Sequence, residues 1–140
     1  MVDHLTPAKR SWNMSRVKSK NTGPEIKVRR MLFSMGFRYR LNVKELPGKP
    51  DIVLKKWNTV IFVHGCFWHR HKGCKDATTP KTRTEWWREK FKTNIRNDKK
   101  KGNDLQKLGW KVIIIWECEV NAKDKFLKEK LYRRLTNDFY

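Results

Sequence analysis

Val60-Ile61-Phe62-Val63-His64-Gly65-Cys66-Phe67-Trp68-His69-Arg70-His71-Lys72-Gly73-Cys74 is the stretch that decides how this chain folds. Val60 to Val63 are β-branched or aromatic, the composition of a buried strand. Gly65 breaks that strand. The eleven residues from His64 to Cys74 then hold three histidines, two cysteines and two large aromatics. A strand that empties into metal-ligating and stacking side chains marks a functional loop.

Within that loop, Cys66, His71 and Cys74 are spaced C-x4-H-x2-C. Cys118, beyond the apolar run Val112 to Trp116, completes a set of four N and S donors, as a tetrahedral structural zinc requires. Buried free cysteines also serve as small core hydrophobes, which is the plainer alternative. With His71 on the metal, His64 and His69 are left for acid–base work near neutral pH. Each has another role open: His64 capping a carbonyl at the strand end, or His69 taking the zinc in place of His71.

Further out, the bulk composition narrows the class. The chain has 140 residues, enough for one domain, and carries 34 Lys and Arg against 14 Asp and Glu, a formal charge of +20. Such an excess calls for a polyanionic partner, nucleic acid or an anionic membrane. Membrane is disfavoured: Met1 to Pro7 contains no apolar signal core, and no apolar run approaches the roughly 20 residues of a spanning helix. Three cysteines without a secretion signal fit a reducing, cytoplasmic compartment and metal binding rather than disulfides.

Upstream of the loop, residues 1–20 are basic and lack periodicity, which predicts a flexible arm. Trp12 and Met14 in that arm either staple it to the domain or lie on DNA. Thr22 and Glu25 have capping-box spacing, Pro24 suits a first turn, and Val28, Met31, Leu32 and Met35 give a helical stripe ended by Gly36. Glu25 is thus either a cap or a spare carboxylate aimed beyond the helix end. Phe37 to Val43 alternates as a strand. Asp51 to Leu54 and Val60 to Val63 read as a hairpin, with Asp51 at the head of one strand beside His64 at the tail of the other. An acid next to a histidine in a basic protein is a candidate magnesium site for phosphodiester chemistry.

Downstream, Thr82 and Glu85 repeat the capping-box spacing before a helix through Trp86, Trp87, Phe91 and Ile95. Its other face is Arg88, Lys90, Lys92 and Arg96. Asn97 to Asn103 is a charge run, read as a solvated basic face with a kink at Gly102. Lys111 to Trp116 is a continuous apolar run, expected as a central strand. Leu127, Leu131, Leu135 and Phe139 mark a last helix. No repeat or second domain interrupts residues 21–140.

These residues carry a family resemblance. Pro47-Gly48-Lys49-Pro50-Asp51, the His64-Gly65-Cys66-Phe67-Trp68-His69 string, Thr82 to Lys90, Leu105 to Trp110 and Trp116-Glu117-Cys118 resemble the very-short-patch repair (Vsr) DNA mismatch endonucleases, from about Ser11 to Leu135. The resemblance implies a restriction-endonuclease-like α/β fold: a central mixed sheet flanked by helices, with a structural zinc. It implies a monomer of the bacterial cytoplasm, associated with the nucleoid and with mismatch-repair proteins. It implies nicking of one strand 5′ to the thymine of a T:G mispair, the product of 5-methylcytosine deamination.

The site residues follow from the same match. Magnesium falls to Asp51 and the main-chain carbonyl of Val63, acid–base and phosphate duties to His64 and His69, and an assisting role to Glu25. Zinc falls to Cys66, His71, Cys74 and Cys118. Phe67, Trp68 and Trp87 match an aromatic wedge beside the mispair, Met14 a residue entering the opposite groove, and Lys90 and Asn94 positions that touch the mispaired bases. Core packing remains the competing role for Trp87. Val63 and Gly65 stand where the wider superfamily has an acid and a lysine. Rival functions are a restriction- or junction-type nuclease on the same fold, and a non-enzymatic zinc DNA-binding module. The latter leaves Asp51, His64 and His69 without work.

Overall fold

A computed structural model describes residues 22–75 and 77–136. The expected basic arm, with Trp12 and Met14, lies outside the described residues, as does Phe139.

Helix α1 (Gly23–Ser34) starts as its sequence dictates: Thr22 Oγ1 accepts from the Glu25 N–H at 3.4 Å, and Pro24 occupies the first turn. It buries Val28, Met31 and Leu32. Strand β1 (Ile52–Leu54) runs through one 3-10 turn (Lys55–Trp57) and a left-handed Asn58 (φ 48°) into β2 (Thr59–His64). The two pair antiparallel, Ile52 opposite Ile61. Helix α2 (Thr84–Lys107) carries the chain back so that β3 (Lys111–Trp116) pairs parallel with β2, Val60 opposite Val112 and His64 opposite Trp116. A short α3 (Glu117–Asn121) and α4 (Asp124–Thr136) follow.

Strand alternation sends side chains to two cores. Ile52, Leu54, Ile61, Ile113 and Ile115 pack against α1, α3 and α4 through Val28, Leu32, Val120, Leu127, Leu131 and Leu135. Val53, Val60 and Phe62 pack on the other face against Leu105 of α2. Helices therefore cover both faces of a mixed sheet, the α/β architecture expected.

Four local expectations are corrected. Phe37 to Val43 is not a strand; Arg40 alone bridges to Val53, because Asn42 (φ 55°) turns the chain out of the ladder. Arg83, left-handed at φ 53°, rather than Thr82, caps α2. Gly102 does not kink that helix, which runs unbroken for 24 residues. Leu105 anchors it on the sheet beyond the glycine, and Asp98 ties it down before. Finally, β3 is an edge of the described sheet and β2 is its centre. The edge is blunted by Lys130, whose Nζ donates to the Ile114 carbonyl at 3.4 Å.

Candidate active site and metal centre

The register places both clusters. His64 lies opposite Trp116 on parallel neighbours. Cys66 and Cys118 each come two residues later, so two strand ends deliver two thiols to one point. The donor atoms of Cys66, His71, Cys74 and Cys118 all lie within 4.8 Å of one another. His71 Nδ1 is 3.7 Å from Cys66 Sγ and 3.3 Å from Cys118 Sγ. A tetrahedral zinc with one N and three S ligands has N–S edges of about 3.5 Å. The set therefore fits zinc, and the open choice between His69 and His71 falls to His71. Trp116 stacks on the His71 ring (4.2 Å, 10°) and holds its orientation. Burial pushes the Cys66 thiol up to about 12 and raises Cys118 as well, so a bound ion would have to displace those protons.

The second cluster uses harder donors. The carboxylate of Asp51 accepts the Val63 N–H at 2.7 Å. Burial lifts its pKa from 3.8 to about 6 despite that bond, and the neighbouring Glu25 charge adds to the rise. Glu25, 4 % exposed, is held by Arg29 Nη2 at 3.2 Å. The Glu25 backbone N–H meets the cap, and its charge is felt by Asp51. A buried carboxylate and a half-buried one in mutual opposition fit a hard divalent cation such as magnesium, which takes oxygen ligands.

His69 Nδ1–H donates to Asp98 Oδ2 at 2.7 Å, and the His69 ring lies flat on His64 (3.9 Å, 7°). His64 is 6 % exposed, and its Nδ1 is buried without a partner. Burial, then the charge of His69, lower its pKa to about 4; Asp98 opposes the shift and Lys101 adds to it. Asp51 was expected beside His64. Its carboxylate sits on the N–H of Val63, the residue before His64, and it feels the charge of His69. His64, His69 and Asp98 also bring donor atoms within 4.8 Å of one another. The hydrogen-bond length and parallel rings mark them as an oriented acid–histidine pair with a stacked neighbour.

Phe67 and Trp68, half-buried, pack edge-on (5.2 Å) above Trp87 and Phe91. Trp87 is 4 % exposed, so it supports the other rings from within the protein. Asn94 Nδ2 donates to the Trp68 carbonyl at 3.0 Å, tying the loop to α2. Arg70 knots the same loop, donating to Thr78 O (2.8 Å) and Ala77 O (2.9 Å) with its guanidinium 4.0 Å over Phe91. Lys90 is exposed on α2. Met14 lies outside the described residues. Asp98 is the site residue that sequence reasoning missed; its one signal was a lone acid within Asn97-Asp98-Lys99-Lys100-Lys101.

An α/β sheet with an acid–histidine pair and a Cys/His cluster at its strand ends fits a metal-dependent nuclease domain, and the comparisons supply the family. The catalytic domain of the homing endonuclease I-Bth0305I superimposes with a TM-score of 0.57 at 23 % identity, over 86 % of this chain and 100 % of that one. The profile of the DNA mismatch endonuclease Vsr matches residues 2–76. The type II nicking enzyme V.NmeAIP of Neisseria meningitidis serogroup A is 48 % identical over 133 residues, 95 % of this chain and 94 % of that relative. The DNA mismatch endonuclease Vsr of Escherichia coli (strain K12) is 40 % identical over 135 residues, 96 % and 86 % of the two chains. The type II nicking enzyme V.XorIIP of Xanthomonas oryzae is 46 % identical over 121 residues, 86 % and 88 %. This chain belongs to the Vsr family of DNA mismatch endonucleases. Among the described residues no helix is long and apolar enough to cross a membrane.

Proposed function

We propose that the protein, acting as a monomer, nicks duplex DNA 5′ to the thymine of a T:G mispair. The observation that carries this reading is the Asp98–His69 pair stacked on His64, with His69 on the same loop as the half-exposed Phe67 and Trp68. A DNA-binding module would have no use for such a pair. The relatives named as nicking enzymes support a single-strand cut.

The chemistry follows from the side chains. Asp98 accepts from Nδ1, which leaves the His69 Nε2 lone pair free to take a proton from the attacking water. His64, neutral at pH 7, contacts the scissile phosphate without competing for that proton. Asp51 and the Val63 carbonyl would hold magnesium, with Glu25 assisting. Magnesium, when bound, polarises the phosphate and steadies the leaving oxygen. Zinc on Cys66, His71, Cys74 and Cys118 pins the loop to the end of β3.

Phe67 and Trp68, backed by Trp87, enter the mispaired step, and Met14 meets it from the opposite groove. Lys90 and Asn94 touch the bases. Unstacking costs least at a mismatch, so the wedge itself selects the site.

End-labelled T:G and C:G duplexes of identical sequence, incubated with the protein and magnesium, test this. The expected product is one nick, on the thymine strand, 5′ to the mispaired T. Equal cleavage of the paired duplex, or cleavage of both strands, would overturn it.

A further inference from the structure

Lys101 projects from α2 on the face it shares with Asp98 and Leu105, three residues before and four after it. Asp98 holds His69, and Leu105 is buried against Val53, Val60 and Phe62. Lys101 therefore sits between the catalytic pair and the sheet, and it is half-buried. Its stem runs against Gly48: a Cβ at that position would lie 2.6 Å from Lys101 Cγ and 2.7 Å from its Cβ. Gly48, at φ +77°, belongs to the turn that delivers Asp51 three residues later. The side chain is thus clamped between the turn that carries Asp51 and the helix that carries Asp98.

The ammonium group stands apart from the other charges here. Glu25 pairs with Arg29, Asp98 with His69, and Asp51 with the Val63 N–H. Among the described residues, no carboxylate or carbonyl engages Lys101 Nζ, and its charge is felt at His64. A partly desolvated cation without a partner is costly and calls for an anion. Strand β2 and Gly65 bring no Lys or Arg to the site. Negative charge grows on the phosphate oxygens during hydrolysis, where a placed cation is worth more than in the ground state.

We propose that Lys101 contacts the scissile phosphate and stabilises the charge that develops on it. This rests on the nicking function proposed above. It separates Lys101 from Lys92, Lys99 and Lys100, which are exposed on the same helix.

The test compares Lys101→Met, which keeps the packed stem and removes the charge, with Lys101→Arg, which keeps the charge. Single-turnover nicking of a T:G duplex at saturating protein and Kd at fixed salt are both read, with Lys99→Met as an exposed control. Lys101→Met is expected to slow nicking about 100-fold while Kd moves by less than about threefold. Lys101→Arg recovers most of the rate, and Lys99→Met leaves the rate unchanged. Nicking by Lys101→Met within twofold of wild type, or a loss confined to Kd, overturns the assignment. So does failure of Lys101→Met and Lys101→Gln to fold where Lys101→Arg folds, since the residue would then be structural. Wild-type protein that does not nick the T:G duplex overturns the proposed function, and this role with it.

Discussion

Cys66, His71, Cys74 and Cys118 offer four soft donors to a single point, whereas Glu25, Asp51, His64, His69 and Asp98 divide their contacts among several neighbours. One loop supplies members of both sets, only a few residues apart. In the cysteine cluster the donors face each other and could hold a metal ion. In the acidic cluster most groups already have a partner, and the cost of burial is concentrated on Asp51. The difference separates stability from chemistry: one cluster can be broken without breaking the other.

The largest effect is expected from Cys118→Ser. A structural zinc contributes folding free energy directly, so the variant loses on the order of 5 kcal/mol or more. Thermal unfolding with metal analysis checks this; an unchanged Tm in zinc-free protein would show that the cluster is not the loop's anchor. Asp51→Asn sharpens the other side. Nicking falls about a thousandfold or more, the several kcal/mol of a lost catalytic metal, while zinc content and DNA affinity hold. Asp98→Asn removes the charged partner of His69 and slows single-turnover nicking about 100–1,000-fold, with zinc content unchanged.

Asp51 also makes a smaller prediction of opposite sign. Its folded pKa, about 6, lies above the ordinary 3.8. Stability from this group is full below about pH 4 and is lost as pH rises through about 6. In magnesium-free buffer at pH 7, Asp51→Asn is therefore more stable than wild type by about 1–3 kcal/mol, and the gain vanishes near pH 4. Denaturant unfolding at the two pH values checks the sign. The gentlest test is Trp68→Ala. It loses about 1–3 kcal/mol of the preference for T:G over C:G duplex at fixed salt. An equal fall in both affinities would assign Trp68 to the fold.

The legible parts of the sequence were those whose signals are local. Thr22, Pro24 and the Val28–Leu32 stripe announce α1, and the strand at Val60 to Val63 with its break at Gly65 announces the loop. The cysteine cluster was legible because the chain has only three cysteines and their spacing leaves few arrangements. Asp98 and Lys101 were not. Within a charge run they look like solvated residues, and their meaning comes from where α2 crosses the strand ends. Trp87 was readable as either a wedge or a core residue, because burial is decided by Phe67 and Phe91 folding onto it. The strand expected over Phe37 to Val43 failed because alternation over so few residues cannot register a left-handed Asn42. The edge position of β3 depends on pairing partners, which no strand encodes in its own residues.

The unbroken course of α2 has a mechanical consequence. Trp87, under the aromatic wedge, and Asp98, behind the proton acceptor, ride on one rod eleven positions apart, about 16 Å along its axis. In the proposed reaction the helix is a gauge: the interval between the opened base step and the severed bond is set by helix length. One residue added between them would swing Asp98 through about 100°. The protein would still find its lesion and would have lost its aim.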